Sequence, residues 1–324
     1  MLDTSQHLNR RKLTRRKILA MALSLPVAGL GGCLQNSGRA RPELVWGRKG
    51  LDDGRFIKPR GIAINDADEI FIVDKTSRIQ VFDRDGKFIR NWRTPACVNG
   101  KPCGLSISHD GLLIVPDTHY FRVLFYTYEG EMVEARTIGG SNGRGPGEFG
   151  FLTDVVQDSK NNYYVTEYGD YDRIQKFAPE GNFLCQWGSH GTEPGEFLRP
   201  QGLFIDGDDQ LWIADASNHR VQIYDLTKPA PTFVRQFGGD GSAAGELRYP
   251  YTIDMDSAGF VHVCELGNHR IQKFTADGKS VSMLGGAGRA PGQFHQPWGF
   301  AFDSTGAMHV IDSYNHRVQR FDHS

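Results

Sequence analysis

The sequence lacks the patterns that mark cysteine-ligated metal sites and membrane-spanning helices. Its 324 residues include five cysteines, but they form neither a CxxCH haem-attachment site nor a CxxC zinc pair. The uncharged run at residues 18–30 has 13 residues, fewer than the roughly 20 that cross a bilayer. What remains is a globular composition with 39% apolar and 23% charged residues, in which 39 glycines indicate many turns.

Excess positive charge is also absent outside the N-terminus. Residues 1–33 hold six of the 37 Lys and Arg but one of the 38 Asp and Glu, which leaves the remainder near −6. Nucleic-acid binding depends mainly on the neutralisation of phosphates by basic residues. We therefore expect no nucleic-acid partner.

The N-terminus has the form of an export signal. Thr14–Leu19 (TRRKIL) has the twin-arginine form, and Leu30–Cys33 (LGGC) at the end of the uncharged run resembles a bacterial lipobox. We predict a signal peptide at 1–32, acylation of Cys33, and a short linker at 33–42. The protein would then be exported folded and anchored by lipid on the periplasmic side of a bacterial membrane. The alternative for Cys33 is a chance cysteine near an ordinary cleavage site.

The other four cysteines are ambiguous. Cys97 and Cys103 lie close together in CVNGKPC and could close a small disulfide loop, because export permits disulfides. Cys185 and Cys264 lie in apolar, strand-like runs, where we expect them to be buried as small hydrophobic residues.

A pattern of an acid followed by an arginine recurs six times. The arginines are 44 to 51 residues apart, and a P-x-G-like motif precedes each copy. The six pairs are Asp74 and Arg78, Asp117 and Arg122, Glu167 and Arg173, Asp215 and Arg220, Glu265 and Arg270, and Asp312 and Arg317.

Each repeat also contains four short β-rich runs separated by turn residues. In the fourth repeat these runs are Gly202–Ile205, Leu211–Ala214, Arg220–Tyr224 and Phe233–Phe237. Four antiparallel strands in a period of about 40–50 residues describe a propeller blade. The sequence therefore predicts an all-β, six-bladed β-propeller.

The chain ends favour a closed ring over an open array. The sixth repeat stops at Arg317–Phe321, its third strand, whereas Glu43–Gly47 has the form of a fourth strand. We predict that this N-terminal strand completes the last blade, so that the propeller extends over residues 43–324. Closure would remove the exposed sheet edges that promote aggregation.

The repeats resemble the NHL repeat, which is named for asparagine, histidine and leucine. The last three repeats carry Asn-His-Arg at 218–220, 268–270 and 315–317, whereas the first three depart from it. The resemblance covers residues 43–324. It implies a six-bladed propeller used mostly for binding, with a few lyases among its relatives.

Sixfold repetition favours a structural role for the acid and arginine, because a catalytic residue is rarely needed six times. We expect a bidentate contact between each acid and its arginine. The neighbouring Asn and His would satisfy turn backbone groups or stack between blades. The alternative is a direct ligand role for His219, His269 and His316.

Function is expected where the repeats differ. In a related family the middle residue of the P-x-G motif points into the channel mouth. That position would suit an extended or ring-shaped ligand, and the alternative is a mouth plugged by its own side chains. The six residues are Arg60, Cys103, Thr153, Gln201, Tyr251 and Trp298.

Two acids on inner strands, Asp154 and Asp254, replace small or apolar residues of other repeats. They are candidates for an acidic or Ca²⁺ site, and the alternative is a pair of solvated carboxylates. Peptidylamidoglycolate lyases, which resemble this chain, hold zinc with three histidines at the mouth position, where this sequence has none. No cofactor is therefore predicted, although Ca²⁺ and Zn²⁺ remain alternatives.

Taken together, the sequence favours a binding or sensor module that uses the channel-mouth face. Its partner would be an unidentified protein or a small or extended ligand, besides the membrane at the lipid anchor. The alternative function is an enzyme of the peptidylamidoglycolate lyase or lactonase-like type that works in the channel.

Overall fold

Short β-rich runs separated by glycine-containing and polar turns form 24 strands within residues 41–322, the part of the chain that the computed structural model describes. The proposed signal peptide and Cys33 lie outside the described residues. The strands form six sheets of four antiparallel strands, so the predicted six-bladed propeller is confirmed. No described helix is long and apolar enough to cross a membrane.

Strands are numbered along the chain, and within blades 1 to 5 they follow sequence order from the inside to the outside. Blade 1 contains β2 (Pro59–Ile64), β3 (Ile70–Asp74), β4 (Arg78–Phe82) and β5 (Phe88–Arg93). Blade 2 contains β6 (Ser106–Ile107), β7 (Leu113–Asp117), β8 (Arg122–Tyr126) and β9 (Ile138–Gly139). Blade 3 contains β10 (Phe151–Gln157), β11 (Tyr163–Tyr168), β12 (Arg173–Phe177) and β13 (Phe183–Trp187).

The second half repeats this arrangement, with the first strand of the chain inserted last. Blade 4 contains β14 (Pro200–Ile205), β15 (Gln210–Asp215), β16 (Arg220–Asp225) and β17 (Thr232–Gly238). Blade 5 contains β18 (Pro250–Met255), β19 (Val261–Glu265), β20 (Arg270–Phe274) and β21 (Ser280–Gly285). Blade 6 contains β22 (Gly299–Phe302), β23 (Met308–Asp312), β24 (Arg317–Phe321) and β1 (Leu44–Trp46). Short 3₁₀ turns occupy Thr118–Tyr120, Glu134–Arg136, Ala216–Asn218 and Ser313–Asn315.

The ring closes as the sequence predicts. Strand β1 pairs antiparallel with β24, with Leu44 opposite Arg320 and Trp46 opposite Val318. The six inner strands β2, β6, β10, β14, β18 and β22 each contact the next one around the ring, and β22 returns to β2. These strands surround a central channel.

The apolar core lies between blades rather than within them. Each of the six interfaces between adjacent blades holds one cluster of buried side chains, because both faces of every sheet are covered. A buried aromatic or leucine from the connecting loop seals five of these interfaces. These residues are Phe56, Phe149, Phe197, Leu247 and Phe294, all with no exposed surface.

A glycine at or just after the end of five outer strands makes room for this loop side chain; these are Gly47, Gly139, Gly188, Gly238 and Gly285. At Gly188, φ is +96°, and an added Cβ would lie 2.5 Å from the ring of Phe197. A left-handed backbone and a filled Cβ position both require glycine there. This explains the Trp-Gly and Phe-Gly dipeptides at the end of the repeats.

The four cysteines of the described chain, Cys97, Cys103, Cys185 and Cys264, are free thiols. The small disulfide loop considered for Cys97 and Cys103 is therefore not formed in this structure. Cys264 is fully buried, as predicted, but Cys185 is only half-buried, because its outer strand β13 has one face turned towards solvent.

Candidate functional site at the channel mouth

The six side chains that differ most between repeats line one cavity at the mouth of the channel. Each lies within three residues of the start of an inner strand, and together they line a small cavity of about 50 Å³ that opens to solvent. Four of these positions are followed by glycine: Gly61, Gly104, Gly202 and Gly299. An added Cβ at Gly202 would lie 2.5 Å from the Tyr251 carbonyl oxygen of the next blade. The glycine that recurs after these positions thus lets inner strands approach closely and brings the side chains at their starts together.

Aromatic rings and a cation form one wall of the mouth. Tyr251 and Trp298 meet edge to face, with ring centroids 4.9 Å apart. The guanidinium carbon of Arg60 lies 5.0 Å from the Trp298 ring centroid, a distance suited to a cation–π contact. This wall offers apolar surface beside a positive charge.

The three smaller residues of the mouth bind neighbouring side chains and backbone. The Cys103 thiol lies 3.1 Å from the Thr118 hydroxyl oxygen, and burial raises the pKa of Cys103. The hydroxyl of Thr153 donates to the Pro200 carbonyl at 3.2 Å, and the Gln201 amide donates to the same carbonyl at 3.2 Å. These residues therefore help to join blades 2, 3 and 4 as well as line the cavity.

Two further residues close to the mouth, Arg199 and Tyr168, were not predicted from the sequence. The guanidinium carbon of Arg199 lies 4.8 Å from the ring centroid of Tyr168, and Arg199 precedes the proline that begins β14. Its φ of +53° is left-handed, which is uncommon for a residue that is not glycine. The signal in the sequence was the position before the proline of the repeat. The equivalent residues Lys58, Tyr249 and Gln296 also precede proline, and in the structure they share this backbone conformation.

The two inner-strand acids lie deeper in the channel. Asp154 borders both the mouth and the deeper cavity, whereas Asp254 borders only the deeper one. Asp154 accepts the backbone N–H groups of Leu203 and Val155, each at 2.9 Å. Burial raises the pKa of Asp154 to about 7, and the charge of Asp254 contributes to that rise. Burial likewise raises the pKa of Asp254 to about 7.

Each repeated acid contacts its arginine, but not through the expected bidentate geometry. In blade 4 the Nε of Arg220 donates to Asp215 at 2.8 Å, while its Nη atoms donate to the loop carbonyls of Thr192, Glu193 and Glu196. The fork therefore binds the connecting loop rather than both carboxylate oxygens. Blades 2, 3, 5 and 6 also use Nε, whereas in blade 1 an Nη atom of Arg78 approaches Asp74 at 3.8 Å.

The Asn-His-Arg histidines connect consecutive blades. The Nδ1 atoms of His219, His269 and His316 accept backbone N–H groups from Tyr249, Gln296 and Lys58 of the next blade, at 3.1, 2.9 and 3.0 Å. An N–H donor at Nδ1 requires that this nitrogen carry no proton. Burial lowers the pKa of His269 and His316, which favours the neutral ring. These histidines join blades, so the geometry favours structure over a direct ligand role.

The matching asparagines complete the same turns. The side-chain amide of Asn218 donates to the Gly191 carbonyl and to Asp215, each at 2.9 Å. A family model described as "NHL repeat" matches residues 197–224 and 294–321, each from the buried loop phenylalanine to the third strand. The chain thus carries NHL repeats in a six-bladed propeller.

Curated relatives align with parts of the chain. NHL repeat-containing protein 3 of Mus musculus is 28% identical over 163 residues, covering 47% of this chain and 46% of the relative. Peptidylglycine alpha-amidating monooxygenase of Rattus norvegicus is 28% identical over 195 residues, covering 57% of this chain and 19% of the relative. The chain thus spans about half, or less, of the length of these curated relatives.

Solved propellers share the fold at low sequence identity. A streptogramin B lyase structure matches with a TM-score of 0.60 and 15% identity, covering 85% of this chain and 95% of that one. A putative gluconolactonase matches with a TM-score of 0.63 and 13% identity, covering 88% and 94%. At these identities the likeness shows the fold alone.

The three-histidine zinc site of lyase-like propellers does not fit this NHL-repeat mouth. The six positions hold arginine, cysteine, threonine, glutamine, tyrosine and tryptophan, and a catalytic zinc usually takes about three protein ligands. Within residues 41–322 no three or more His, Cys, Asp or Glu side chains are grouped to hold a metal ion. The residues at the mouth therefore do not provide the three-histidine zinc site.

Replacement of Asp254, a half-buried residue of the channel, by asparagine is expected to weaken the pH dependence of stability. An unfolded aspartate ionises near pH ~3.9, whereas burial raises the folded pKa of Asp254 to about 7. Between these values the unfolded state binds fewer protons, so the free energy of unfolding falls as pH rises. At about 1.4 kcal/mol per pKa unit, the fall would be roughly 4 kcal/mol for one carboxyl group.

Urea denaturation of the wild type and Asp254→Asn from pH 4 to pH 8 measures this effect. The variant should gain stability relative to the wild type as pH rises, because asparagine does not ionise. The exposed Asp208 provides a matched control, and Asp208→Asn should follow the wild-type profile. Parallel profiles for Asp254→Asn and the wild type would show that Asp254 ionises normally in the fold.

Proposed function

We propose that this NHL-repeat propeller is a binding module that holds a small molecule, or the end of a larger partner, at the channel mouth. The observation that carries the proposal is the convergence of six unlike side chains, one from each blade, on one open cavity. Structural residues such as the acid–arginine pairs repeat around the ring, whereas a ligand site needs a particular mixture of groups. The Tyr251–Trp298 wall supplies apolar surface, and polar side chains beside it supply orientation.

Fragment soaking with a set of neutral and charged aromatic molecules tests this function. We expect bound fragments to collect at the mouth against Trp298, and Trp298→Ala to lower their affinity by about tenfold or more, as for a central aromatic contact. Phe302 lines the other part of the channel and gives a matched control, since Phe302→Ala should leave mouth binding unchanged. Fragments that avoid the mouth, or that bind Trp298→Ala equally well, would contradict the proposal.

We also propose that the propeller acts outside the cytoplasm, attached to a membrane by acylated Cys33. This proposal rests on the sequence, through the twin-arginine segment and the lipobox-like Leu30–Cys33. Two acyl chains anchor a protein stably, whereas the propeller alone would be released.

Expression of the full chain in a bacterium with a twin-arginine pathway tests the anchor. Cys33→Ser is expected to move the protein from the membrane fraction to the soluble fraction. Cys97→Ser, at a cysteine far from the lipobox, serves as the control and should stay with the membranes. Membrane association of Cys33→Ser at the wild-type level would refute the lipoprotein proposal.

A further inference from the structure

Two arginines act on the same side chains at the mouth. Burial raises the pKa of Cys103, Tyr168 and Tyr251, and the positive charges of Arg60 and Arg199 oppose that rise at all three residues. Arg60 lines the mouth itself, and Arg199 lies two residues before the mouth residue Gln201, whose side-chain amide is 3.5 Å from the Arg199 carbonyl oxygen. Both arginines therefore lie at this end of the channel.

Arg60 and Arg199 differ in their partners from the arginines of the six repeated acid–arginine pairs, which we call the framework arginines. Among the described residues, each framework arginine contacts a carboxylate, but neither Arg60 nor Arg199 forms an ion pair with one. Asp172 binds the backbone N–H of Arg199 at 3.0 Å and the His190 ring at 2.6 Å, so it serves other groups. Both arginines instead lie against aromatic rings, Arg60 at Trp298 and Arg199 at Tyr168.

Other groups around the mouth do not neutralise this positive charge. Lys101 adds a further cation, because burial and then the charges of Arg60 and Lys101 lower the pKa of His119. The nearest channel carboxyl is Asp154, whose oxygens both accept backbone N–H groups. This end of the channel thus combines an apolar wall with two guanidinium groups that form no ion pair with a carboxylate of the described residues.

We infer that the ligand of this mouth is an organic anion, whose carboxylate or phosphate oxygens bind Arg60 and Arg199 and whose planar or apolar part packs on Tyr251 and Trp298. This inference rests on the proposed binding function and adds the charge of the ligand to it. The planar fork of arginine matches both carboxylate and phosphate, and its bonds to anions are stronger than neutral hydrogen bonds. Within the described residues no carboxylate forms an ion pair with either guanidinium group, so both can bind an added anion.

Isothermal titration of the full-length chain with matched probes tests the inference. Phenylacetate and phenyl phosphate carry the anion, and phenylacetamide is a neutral molecule of the same shape as phenylacetate. We expect at least one anion to bind about tenfold or more tightly than phenylacetamide, with a preference that weakens as salt rises. The stronger of the two anions identifies the preferred oxygen group.

Variants connect this preference to the two arginines. Arg60→Gln and Arg199→Gln should each lower anion affinity by about fivefold to tenfold while leaving phenylacetamide binding nearly unchanged. Arg60→Lys, which keeps the charge without the fork, should retain part of the preference. Arg84, in the turn between β4 and β5 at the opposite end of the blade, is the control, and Arg84→Gln should bind as the wild type does.

Two different failures are distinguishable. Equal affinity for phenylacetate, phenyl phosphate and phenylacetamide, with all three lost in Trp298→Ala, would overturn the anion inference and leave the mouth as a binding site. An anion preference that survives in Arg60→Gln and Arg199→Gln would also overturn it. If no probe binds and soaked fragments avoid the mouth, the proposed function fails together with the inference.

Discussion

Deletion of residues 43–47 is expected to destabilise the propeller by more than the loss of any single core side chain. The deletion removes strand β1, which pairs with β24 and closes the ring. It also removes Trp46, which is 9% exposed and packs on Phe82 with ring centroids 4.6 Å apart. Truncation of a buried tryptophan alone costs about 3–5 kcal/mol, and the deletion adds lost strand pairing and a newly exposed sheet edge.

Urea denaturation followed by circular dichroism compares three variants of this strand. The deletion should lower the free energy of unfolding most, and Trp46→Ala should lower it by about 3–5 kcal/mol. Val45 lies on the same strand but is 38% exposed, so Val45→Ala should change stability by about 0.5 kcal/mol or less. A deletion variant with wild-type stability would show that blade 6 does not need its fourth strand.

The second large effect is expected from Asp215→Ala in the blade 4 framework. Asp215 is fully buried and accepts the backbone N–H of Leu198 at 2.8 Å and the Nε of Arg220 at 2.8 Å. Burial raises the pKa of Asp215 in spite of these donors, so the pair mainly fixes geometry. Its removal would leave the 8%-exposed Arg220 without its carboxylate partner, which costs about 3–5 kcal/mol in buried pairs.

A second aspartate–arginine pair in the same protein provides the control. Asp240 and Arg248 are 3.1 Å apart, but their side chains are 59% and 45% exposed. Exposed pairs contribute about 1 kcal/mol or less, so Asp240→Ala should have a small effect on the free energy of unfolding. Equal losses for Asp215→Ala and Asp240→Ala would mean that burial does not distinguish the framework pairs.

The channel mouth shows which residues of a candidate site can be predicted by aligning the repeats. Alignment places one variable residue at the start of each inner strand, and the structure brings all six to one cavity. The alignment does not identify Tyr168 as a neighbour of the mouth. Tyr168 is the last residue of the second strand of blade 3, just before the turn to the third strand. Its proximity to Arg199 depends on the way in which blade 3 packs beside blade 4.

The arginines illustrate the same limit. Both Arg60 and Arg220 are arginines in repeated motifs, and the sequence predicts a paired role only for Arg220 because its acid recurs with it. That the mouth arginine lies on Trp298 instead of a carboxylate depends on the contact between blades 1 and 6. These two repeats are more than 200 residues apart in the sequence and become neighbours only when the ring closes.

The sequence by itself determined the fold of this protein, because each repeat encodes its own strands, turns and acid–arginine pair within about 50 residues. It also determined closure, because the missing fourth strand of the last repeat is present at the N-terminal end. Only the tertiary structure decided what the framework residues bind and which charges meet at the mouth. The Nη atoms of Arg220 bind loop carbonyls, and His219 accepts an N–H from the next blade. Such contacts depend on the packing of one blade on another, a geometry that no single repeat encodes.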